Sequence, residues 1–557
     1  MFAGRTLRIT GSRSGVFRQG AGTGGIATPL ASFRVRGDNV TRSHKCSARI
    51  WCWDGKGRTG SMPLLTRKIG TVCLAGAVVV SALSPAMAQS PSPAPQTAFA
   101  RPAPLSPTAP ITLTPAQAEL LQRTLAESDR HGFEPNEFAP RSPGDAGLIE
   151  ATIRYARAVK TGRLAPSGFR ADWGLRPMPF DARGGLARAV YDDRLEAWLK
   201  SLPPDYPGYE TLQRGLATYR EIRQRGGWQS LPEGPELKLG ATGFAVEALR
   251  ARLAVEDPAA PTVTARTQPA PPTTPGAVAS PGEPLFDMAL AEAVKRAQKR
   301  MGLEPTGVVN ASTRMALNTP VQRRLDQIVA NMERWRWLPP TLPADRVQVN
   351  VAAGVLTLYK NDQPALSMRA VTGKPNGGET PLLKSEIHSI VLNPPWNVPA
   401  GIAARELFPK GRAYLASAGF RILPGGGLQQ QPGPGSALGL IKFDFLNPYA
   451  VYLHDTPSKG GFARYTRLGS HGCVRLEKPL ALARAIMEGD PVWTPEAIDA
   501  TIAGGKTTRA TVARPVAVFL LYWTAYVTPD GQVNFRQDPY GWDTLLMQRI
   551  AAQGRAA

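Results

Sequence analysis

The sequence predicts a multidomain α+β protein in which helical domains precede a β-rich domain. Apolar residues recur at helical spacing between residues 114 and 337, and at every second position from residue 345 onward. Pro-rich stretches at 89–110 and 257–284 are typical of linkers and insertions. The 557 residues allow roughly three to five domains, and the 43% hydrophobic content excludes a wholly disordered chain.

Residues 62–88 have the features of an export signal. A basic segment precedes an apolar stretch from Ile69 to Leu83, and Ala86-Met87-Ala88 forms a small-x-small cleavage site. We therefore predict a signal peptide at 62–88, a mature chain that starts at Gln89, and a periplasmic protein. The alternative is an uncleaved anchor helix.

Residues 1–61 precede this signal, and we interpret them as an upstream extension from a misassigned start, with Met62 as the true first residue. Beyond the signal, no window contains 18 apolar residues, so we expect no stable membrane span after cleavage. The formal net charge of +23 favours a polyanionic partner. Since no recognisable nucleic-acid module accompanies the charge, we do not expect nucleic acid to be that partner.

The helical part begins with a Pro/Ala-rich linker at 89–110. Thr114, Pro115 and Gln117 predict a capped helix that opens a helical scaffold domain at 111–235, with further helices near 146–162, 184–201 and 208–225.

A small helical module is predicted at 236–318, and the Pro-rich insertion 257–284 interrupts it. Asp287 and Asn310 are its candidate helix caps. A connecting helix is predicted within 319–344, with an apolar stripe that we interpret as core packing.

The β-rich domain is predicted at 345–490, followed by a C-terminal extension at 491–557. Gly354 is expected to turn a hairpin, and residues 516–527 form a final strand-like segment. Residues 421–440 are rich in Gly, Pro and Gln, which predicts a long mobile loop over a site, within a lid at about 400–440.

One cysteine, Cys473, remains after the predicted cleavage, so an internal disulfide is excluded in the mature chain. It follows a glycine in a turn, and His454 ends a strand 19 residues earlier. Nucleophilic thiol chemistry needs a proton acceptor within hydrogen-bond reach of the thiol. Gly472 allows the backbone to turn so that amide N–H groups point at an oxyanion. Arg475 adds positive potential.

Two other readings of this stretch are open. A zinc site could use Cys473, His454 and His471, but the sequence offers no fourth ligand in reach and the His-Gly-Cys spacing is awkward for one ion. The stretch could also be a structural turn around a buried, inert cysteine.

The run from Ser470 to Arg475, with His454 sixteen residues before the serine, resembles the signature of L,D-transpeptidases with a YkuD-type catalytic domain. The resemblance to the large periplasmic YcbB-like subgroup extends to other segments: Gly226-Gly227-Trp228, 333–339, Thr380-Pro381, 393–399, 432–439 and 441–443. Residues 237–318 are similar to the helical peptidoglycan-binding module. Ser436 departs from the subgroup, in which an asparagine is expected.

The resemblance implies a cysteine acyltransferase that acts on peptidoglycan stem peptides and needs no metal or cofactor. It implies that Cys473 is the nucleophile, that His454 accepts and donates protons, and that the carbonyl of Asp455 orients His454. It further implies that Gly472 and Cys473 N–H groups hold the oxyanion, with Ser470, His471 and Arg475 around the pocket. Release of D-alanine and a 3→3 cross-link would follow.

The sequence leaves three functions open. The first is the periplasmic L,D-transpeptidase, for which other cell-wall enzymes are candidate partners. The second is an L,D-carboxypeptidase, in which water replaces the acceptor amine. The third is a noncatalytic peptidoglycan-binding scaffold, against which the presence of both Cys473 and His454 argues.

Overall fold

A computed structural model describes residues 110–261, 284–528 and 530–556. The predicted upstream extension, signal peptide and almost all of the linker lie outside these ranges, as does most of the Pro-rich insertion. No helix within these ranges combines the length and the apolar character needed to cross a membrane.

The first helical layer contains five helices: α1 Pro115–Ala126, α2 Gly144–Thr161, α3 Ala182–Tyr191, α4 Leu195–Lys200 and α5 Pro207–Gln224. The predicted capping box of α1 is present, because the Thr114 hydroxyl accepts from Gln117 N and the Gln117 side chain accepts from Thr114 N. The prediction of a single helix at 184–201 is wrong, because this segment forms two helices. It breaks between α3 and α4, where Asp193 has a φ of +53°, a left-handed conformation that Asp tolerates better than most residues.

The small module contains α6 Phe244–Ala254, α7 Met288–Arg300 and α8 Ala311–Leu317. Both predicted caps are confirmed: the Asp287 carboxylate accepts from Leu290 N at 2.8 Å, and the Asn310 side chain accepts from Thr313 N at 2.9 Å. Apolar residues of α6 and α7 form a separate core.

The connecting helix, α9 Val321–Trp335, joins the helical layer to the β-rich domain. Its Glu333 is fully buried, accepts from Arg163 N at 2.6 Å, and pairs with Arg336 at 2.8 Å. Two residues earlier, Asn331 bonds to Thr524 at 2.7 Å. Breaking a buried ion pair such as Glu333–Arg336 typically costs about 3–5 kcal/mol. These buried contacts of α9 therefore hold the helical layer firmly to the β-rich domain.

The β-rich domain is a closed sheet with a lid and C-terminal helices. In chain order its elements are β1 Arg346–Asn350, β2 Val355–Lys360, β3 Gln363–Gly373, β4 Leu383–Leu392, β5 Trp396–Val398, α10 Ala400–Ile402, α11 Gly411–Ser417, β6 Phe420–Ile422, β7 Leu428–Gln430, β8 Ile441–Phe445, β9 Leu453–His454, β10 Leu468–Ser470, β11 Val474–Leu476, α12 Pro479–Ile486, α13 Pro495–Ala503, β12 Thr508–Leu521, β13 Ala525–Val527, β14 Val533–Phe535 and α14 Trp542–Ala556.

Eight of these strands pair in the order β3-β11-β9-β8-β4-β12-β1-β2, and β2 also pairs with β3, which closes the ring. Strand β10 adds to β3. Side chains alternate as predicted: Val347 and Val349 of β1 are fully buried in the main core. Gly354, with a φ of +58°, turns the predicted hairpin between β1 and β2.

The structure differs from the predicted boundary at residue 490. Strand β12 lies between β1 and β4 inside the ring, so part of the predicted C-terminal extension belongs to the sheet. The strand begins at Thr508, earlier than the predicted 516, and its register shifts between Thr511 and Val516. Pro515 lies in this shift and lacks the N–H that a ladder needs.

The loop predicted at 421–440 is partly strand. Strand β7 pairs with both β5 and β6 to form a three-stranded sheet. This sheet and the preceding helical turns enclose a small core of their own, with members Val398, Ala403, Leu407, Leu415 and Leu428. Residues 396–440, which we call the lid, are therefore a compact subdomain rather than an open loop.

Candidate active site

The strand pairing brings the predicted nucleophile and base to neighbouring strands. Strand β9 runs parallel to β11, with Leu453 opposite Val474 and His454 opposite Arg475. Val474 N donates to Tyr452 O at 3.0 Å, which places Cys473 beside the start of β9. The 18 residues between His454 and Cys473 thus form a loop whose two ends meet.

The turn that carries Cys473 is fixed by hydrogen bonds. The buried Ser470 hydroxyl donates to Cys473 O at 2.5 Å and accepts from Gly472 N at 3.1 Å. Gly472 has a φ of +113°, which a side chain would strain. The sequence-based expectation that Gly472 N–H points at an oxyanion is not met, since this N–H is bonded to Ser470.

Hydrogen bonds of Thr380 and Tyr540 also hold this turn in place. The fully buried Thr380 donates its hydroxyl to Gly472 O at 2.8 Å. Tyr540, from the C-terminal segment, donates its hydroxyl to Gly373 O at 2.7 Å and accepts from Thr380 N at 3.2 Å. These contacts connect the turn to the start of α14.

His454 is held as a neutral base. Its Nδ1 lies 2.5 Å from Asp455 O, so Nδ1 carries the proton and donates to this carbonyl, while Nε2 is left as the proton acceptor. Burial, and then the charge of Arg475, lower the pKa of His454 to about 3. The imidazole is therefore unprotonated across the whole neutral range. This carbonyl is the one to which the resemblance assigns the orientation of His454, and that role stays a prediction.

Cys473 is only partly exposed, and burial raises the pKa of its thiol. The backbone and hydroxyl of Tyr452 are hydrogen-bonded to the thiol and act in the opposite direction, as do the charges of Lys442 and Arg475. The resting pair is therefore a neutral thiol and a neutral imidazole.

Tyr452 is a site residue that the sequence reasoning missed. Its hydroxyl contacts both the Cys473 thiol and the Trp396 indole of the lid, and Lys442 Nζ lies 4.3 Å from the centre of its ring. The alternation along β9 offered a signal, because Tyr452 lies two positions before His454 and hence on the same face.

The other predicted residues surround the turn in different roles. His471 is exposed, and its Nε2 lies 2.7 Å from Glu406 Oε1 of the lid and 3.3 Å from Lys374 Nζ. The Nε atom of Arg475 is buried without a hydrogen-bond partner.

The Asp455 carboxylate accepts from Leu440 N at 2.9 Å and from Lys459 Nζ at 2.5 Å, which ties the end of the lid to the site. Across the part of the chain that the structure describes, His, Cys, Asp and Glu side chains do not converge in threes that could hold a metal ion.

Comparison with protein families assigns three parts of the chain. Residues 344–493 match the model of the L,D-transpeptidase catalytic domain (YkuD), residues 109–216 match a scaffold domain, and residues 280–317 match a peptidoglycan-binding domain. The chain carries a YkuD-type L,D-transpeptidase catalytic domain. This confirms the resemblance stated for the Ser470–Arg475 run and the predicted fold class.

A curated L,D-transpeptidase homologue from Haemophilus influenzae is 32% identical over 256 residues, which cover 42% of this chain and 51% of the relative. The chain thus spans about half the length of that relative. Among solved structures, an Enterococcus faecium L,D-transpeptidase mutant is 12% identical with a TM-score of 0.19, covering 33% of this chain and 51% of that one. An L,D-transpeptidase from Xylanimonas cellulosilytica is 16% identical with a TM-score of 0.17, covering 52% and 98%.

The raised pKa of Cys473 predicts how the L,D-transpeptidase domain reacts with iodoacetamide. At pH 7 its thiol is alkylated more slowly than an ordinary cysteine of pKa about 8.5, and the rate rises with pH to a midpoint above that value. The measurement is mass spectrometry of the peptide that contains Cys473, with the urea-unfolded protein as control. An alkylation rate that stays constant between pH 5 and pH 8 would instead indicate a thiolate–imidazolium pair.

The Tyr540→Phe variant tests the support beneath the turn of the L,D-transpeptidase domain. Removing the hydroxyl leaves Gly373 O and Thr380 N without their partner, at a cost of about 1–3 kcal/mol. We expect a lower midpoint in thermal unfolding and slower acylation of Cys473. Tyr191→Phe, on an exposed ring of α3, should change neither. Equal behaviour of the two variants would contradict the supporting role.

Proposed function

We propose that the protein is a periplasmic L,D-transpeptidase that forms 3→3 cross-links between peptidoglycan stem peptides. The observation that supports this proposal is the pairing of β9 with β11, next to which lie the Cys473 thiol and the buried imidazole of His454, whose Nδ1 is bonded to the Asp455 carbonyl. The peptidoglycan-binding match at 280–317 supports the choice of polymer.

In the first step, His454 Nε2 takes the proton of the Cys473 thiol while Sγ attacks the carbonyl carbon of the third stem residue. An Sγ–C bond forms, and the C–N bond to the terminal D-alanine breaks. His454 returns its proton to the departing amine, so D-alanine leaves neutral at nitrogen and a thioester remains.

In the second step, the side-chain amine of diaminopimelate in another stem attacks the thioester. His454 removes a proton from this amine, the C–Sγ bond breaks, and the proton returns to the thiolate. The enzyme is regenerated as the neutral pair that the pKa shifts favour at rest.

For the oxyanion we propose the Cys473 N–H as donor, with the Tyr452 hydroxyl beside it. Gly472 N–H can join them only after it leaves Ser470 Oγ. Arg475, with its partnerless buried Nε, is proposed to attract a carboxylate of the stem.

The experiment that tests the proposal is incubation of the purified protein with a disaccharide-tetrapeptide, followed by mass spectrometry of the products. A cross-linked dimer with loss of one D-alanine supports transpeptidation. Free disaccharide-tripeptide alone would identify a carboxypeptidase, and unchanged substrate would favour a noncatalytic scaffold.

We also propose that the lid closes over the stems, with Glu406 as its latch on His471, which Lys374 also contacts. Glu406→Gln neutralises the lid carboxylate in this partly exposed contact, which is worth about 0.2–1 kcal/mol. We expect KM for the stem substrate to rise up to about fivefold, with β-lactam acylation of Cys473 unchanged. Glu386→Gln, at an exposed position of β4, is the matched control. An unaltered KM in Glu406→Gln contradicts the latch.

A further inference from the structure

A cavity of about 800 Å³ lies away from the catalytic pair, between the small helical module, the end of α9 and the outer face of the closed sheet. Neither Cys473 nor His454 lines it. Its volume is within the range of about 300–1,000 Å³ that is typical of ligand sites. We call this cavity the intermodule groove.

The sheet wall of the intermodule groove comes from the outward positions of β1. The valines of this strand point into the core, so Arg346, Gln348 and Asn350 face outward and line the groove. Arg346 and Gln348 are nevertheless 8% and 7% exposed. Arg346 Nη1 pairs with Asp362 Oδ1 at 2.5 Å, and its Nε atom is buried without a hydrogen-bond partner.

Aromatic rings form a second part of the wall. Trp335 and Trp523 stack at 4.8 Å with an angle of 17° between their planes. Tyr465, 43% exposed, stands at the rim, and Tyr526 also lines the groove. Flat rings beside buried hydrogen-bonding groups suit an amphipathic ligand such as a sugar, which has apolar C–H faces and polar edges.

The opposite wall belongs to the module. Residues from the end of α7 and the start of α8 line it, among them Glu304, Thr306 and Ser312. These residues fall within the stretch that matches a peptidoglycan-binding domain. The groove is therefore shared by that domain and the catalytic domain.

Charge in the groove selects an anionic ligand. Three arginines line it against one acid, Glu304; Arg346 is paired with Asp362, which leaves Arg467 and Arg536. Arg467 and Arg536 bond to carbonyl and hydroxyl oxygens, and neither takes part in a salt bridge among the described residues. Their charge is available to carboxylates of a ligand.

We propose that the intermodule groove binds the glycan backbone of the wall polymer, a strand of N-acetylated amino sugars whose carboxyl groups are free where the stem peptides have been removed. This proposal rests on the proposed function, since it names the part of the substrate that lies beyond the stem. Thr372 and Leu468 also line the groove and pair with each other, two residues before Ser470. A strand held there lies along the elements that carry the catalytic turn.

The test is isothermal titration calorimetry of the full chain. The titrant is a peptide-free tetrasaccharide of alternating N-acetylglucosamine and N-acetylmuramic acid. This probe has no stem, so it cannot act as a substrate at Cys473. We expect saturable binding, weakened roughly threefold to tenfold by Tyr465→Ala. Ser312→Trp, which fills the groove from α8, should abolish it. A neutral N-acetylglucosamine tetramer should bind more weakly than the acidic probe.

Matched control variants distinguish a loss of binding in the groove from a general effect of changing the protein surface. Tyr191→Ala removes an exposed tyrosine from α3, and Met315→Trp enlarges an exposed residue of α8 that does not line the groove. Both should bind like the unmodified protein. Absence of saturable binding, or equal affinity of Ser312→Trp and Met315→Trp, overturns the proposal. Acylation of Cys473 by a β-lactam is read separately, so failure of the chemistry and failure of the groove are distinguishable.

Discussion

The Cys473→Ala protein is expected to gain no mass from a carbapenem, whereas the unmodified protein gains the mass of one molecule on the peptide that contains Cys473. A β-lactam ring is a strained amide, and the thiol beside His454 is placed to open it. Acylation of a thiol by a carbapenem adds the whole molecule to the protein, so intact-protein mass spectrometry should detect the adduct. Cys473→Ser should also fail almost completely, because a hydroxyl is far harder to ionise than a thiol.

The contrary outcome is equally clear. If the adduct forms as well on Cys473→Ala as on the unmodified protein, Cys473 is not the nucleophile, and the noncatalytic scaffold becomes the better reading. Circular dichroism of both variants serves as the control for folding, since Cys473 lies in a turn that Ser470 and Thr380 hold through backbone atoms and not through the thiol.

The second large effect is expected from His454→Ala, which should slow carbapenem acylation by roughly 10²–10⁴-fold, as for loss of a general base. Because burial raises the pKa of Cys473, little thiolate is present at neutral pH without this base. Since the pKa of His454 is about 3, the unmodified enzyme should keep its base form down to mildly acidic pH. Stopped-flow fluorescence of acylation between pH 5 and pH 9 measures both effects.

His388→Ala is the matched control for this experiment, because His388 lies on β4 outside the catalytic turn. It should leave the acylation rate unchanged. A loss below tenfold in His454→Ala would show that the thiolate is already formed in the resting enzyme, stabilised by Arg475 and Lys442 rather than by proton transfer.

Much of the local structure could be predicted because its causes are local. The caps at Thr114, Asp287 and Asn310 depend on side chains within three residues of the N–H groups that they accept from. The alternation of β1 likewise follows from the chain itself. The same applies to the candidate pair, since a six-residue run and one histidine carried the resemblance to the family.

The rest depends on contacts between distant segments. Tyr540 supports the turn although it lies beyond α12 and α13 in the sequence. No short sequence pattern predicts its hydrogen bond to Thr380. The Gly472 N–H could donate to Ser470 Oγ or to an oxyanion, and only the folded geometry of the turn shows that it donates to Ser470 Oγ. The lid strands β6 and β7 are three residues each, too short for a periodic pattern.

The place of β12 has a consequence for how the molecule is made. Arg346 pairs with Ala517, roughly 170 residues later, so the ring cannot close until this segment has entered the compartment where the chain folds. Until then β1 and β4 present unpaired edges, which are the surfaces most prone to aggregate. A fragment cut at residues 344–493 would remain in that vulnerable state permanently.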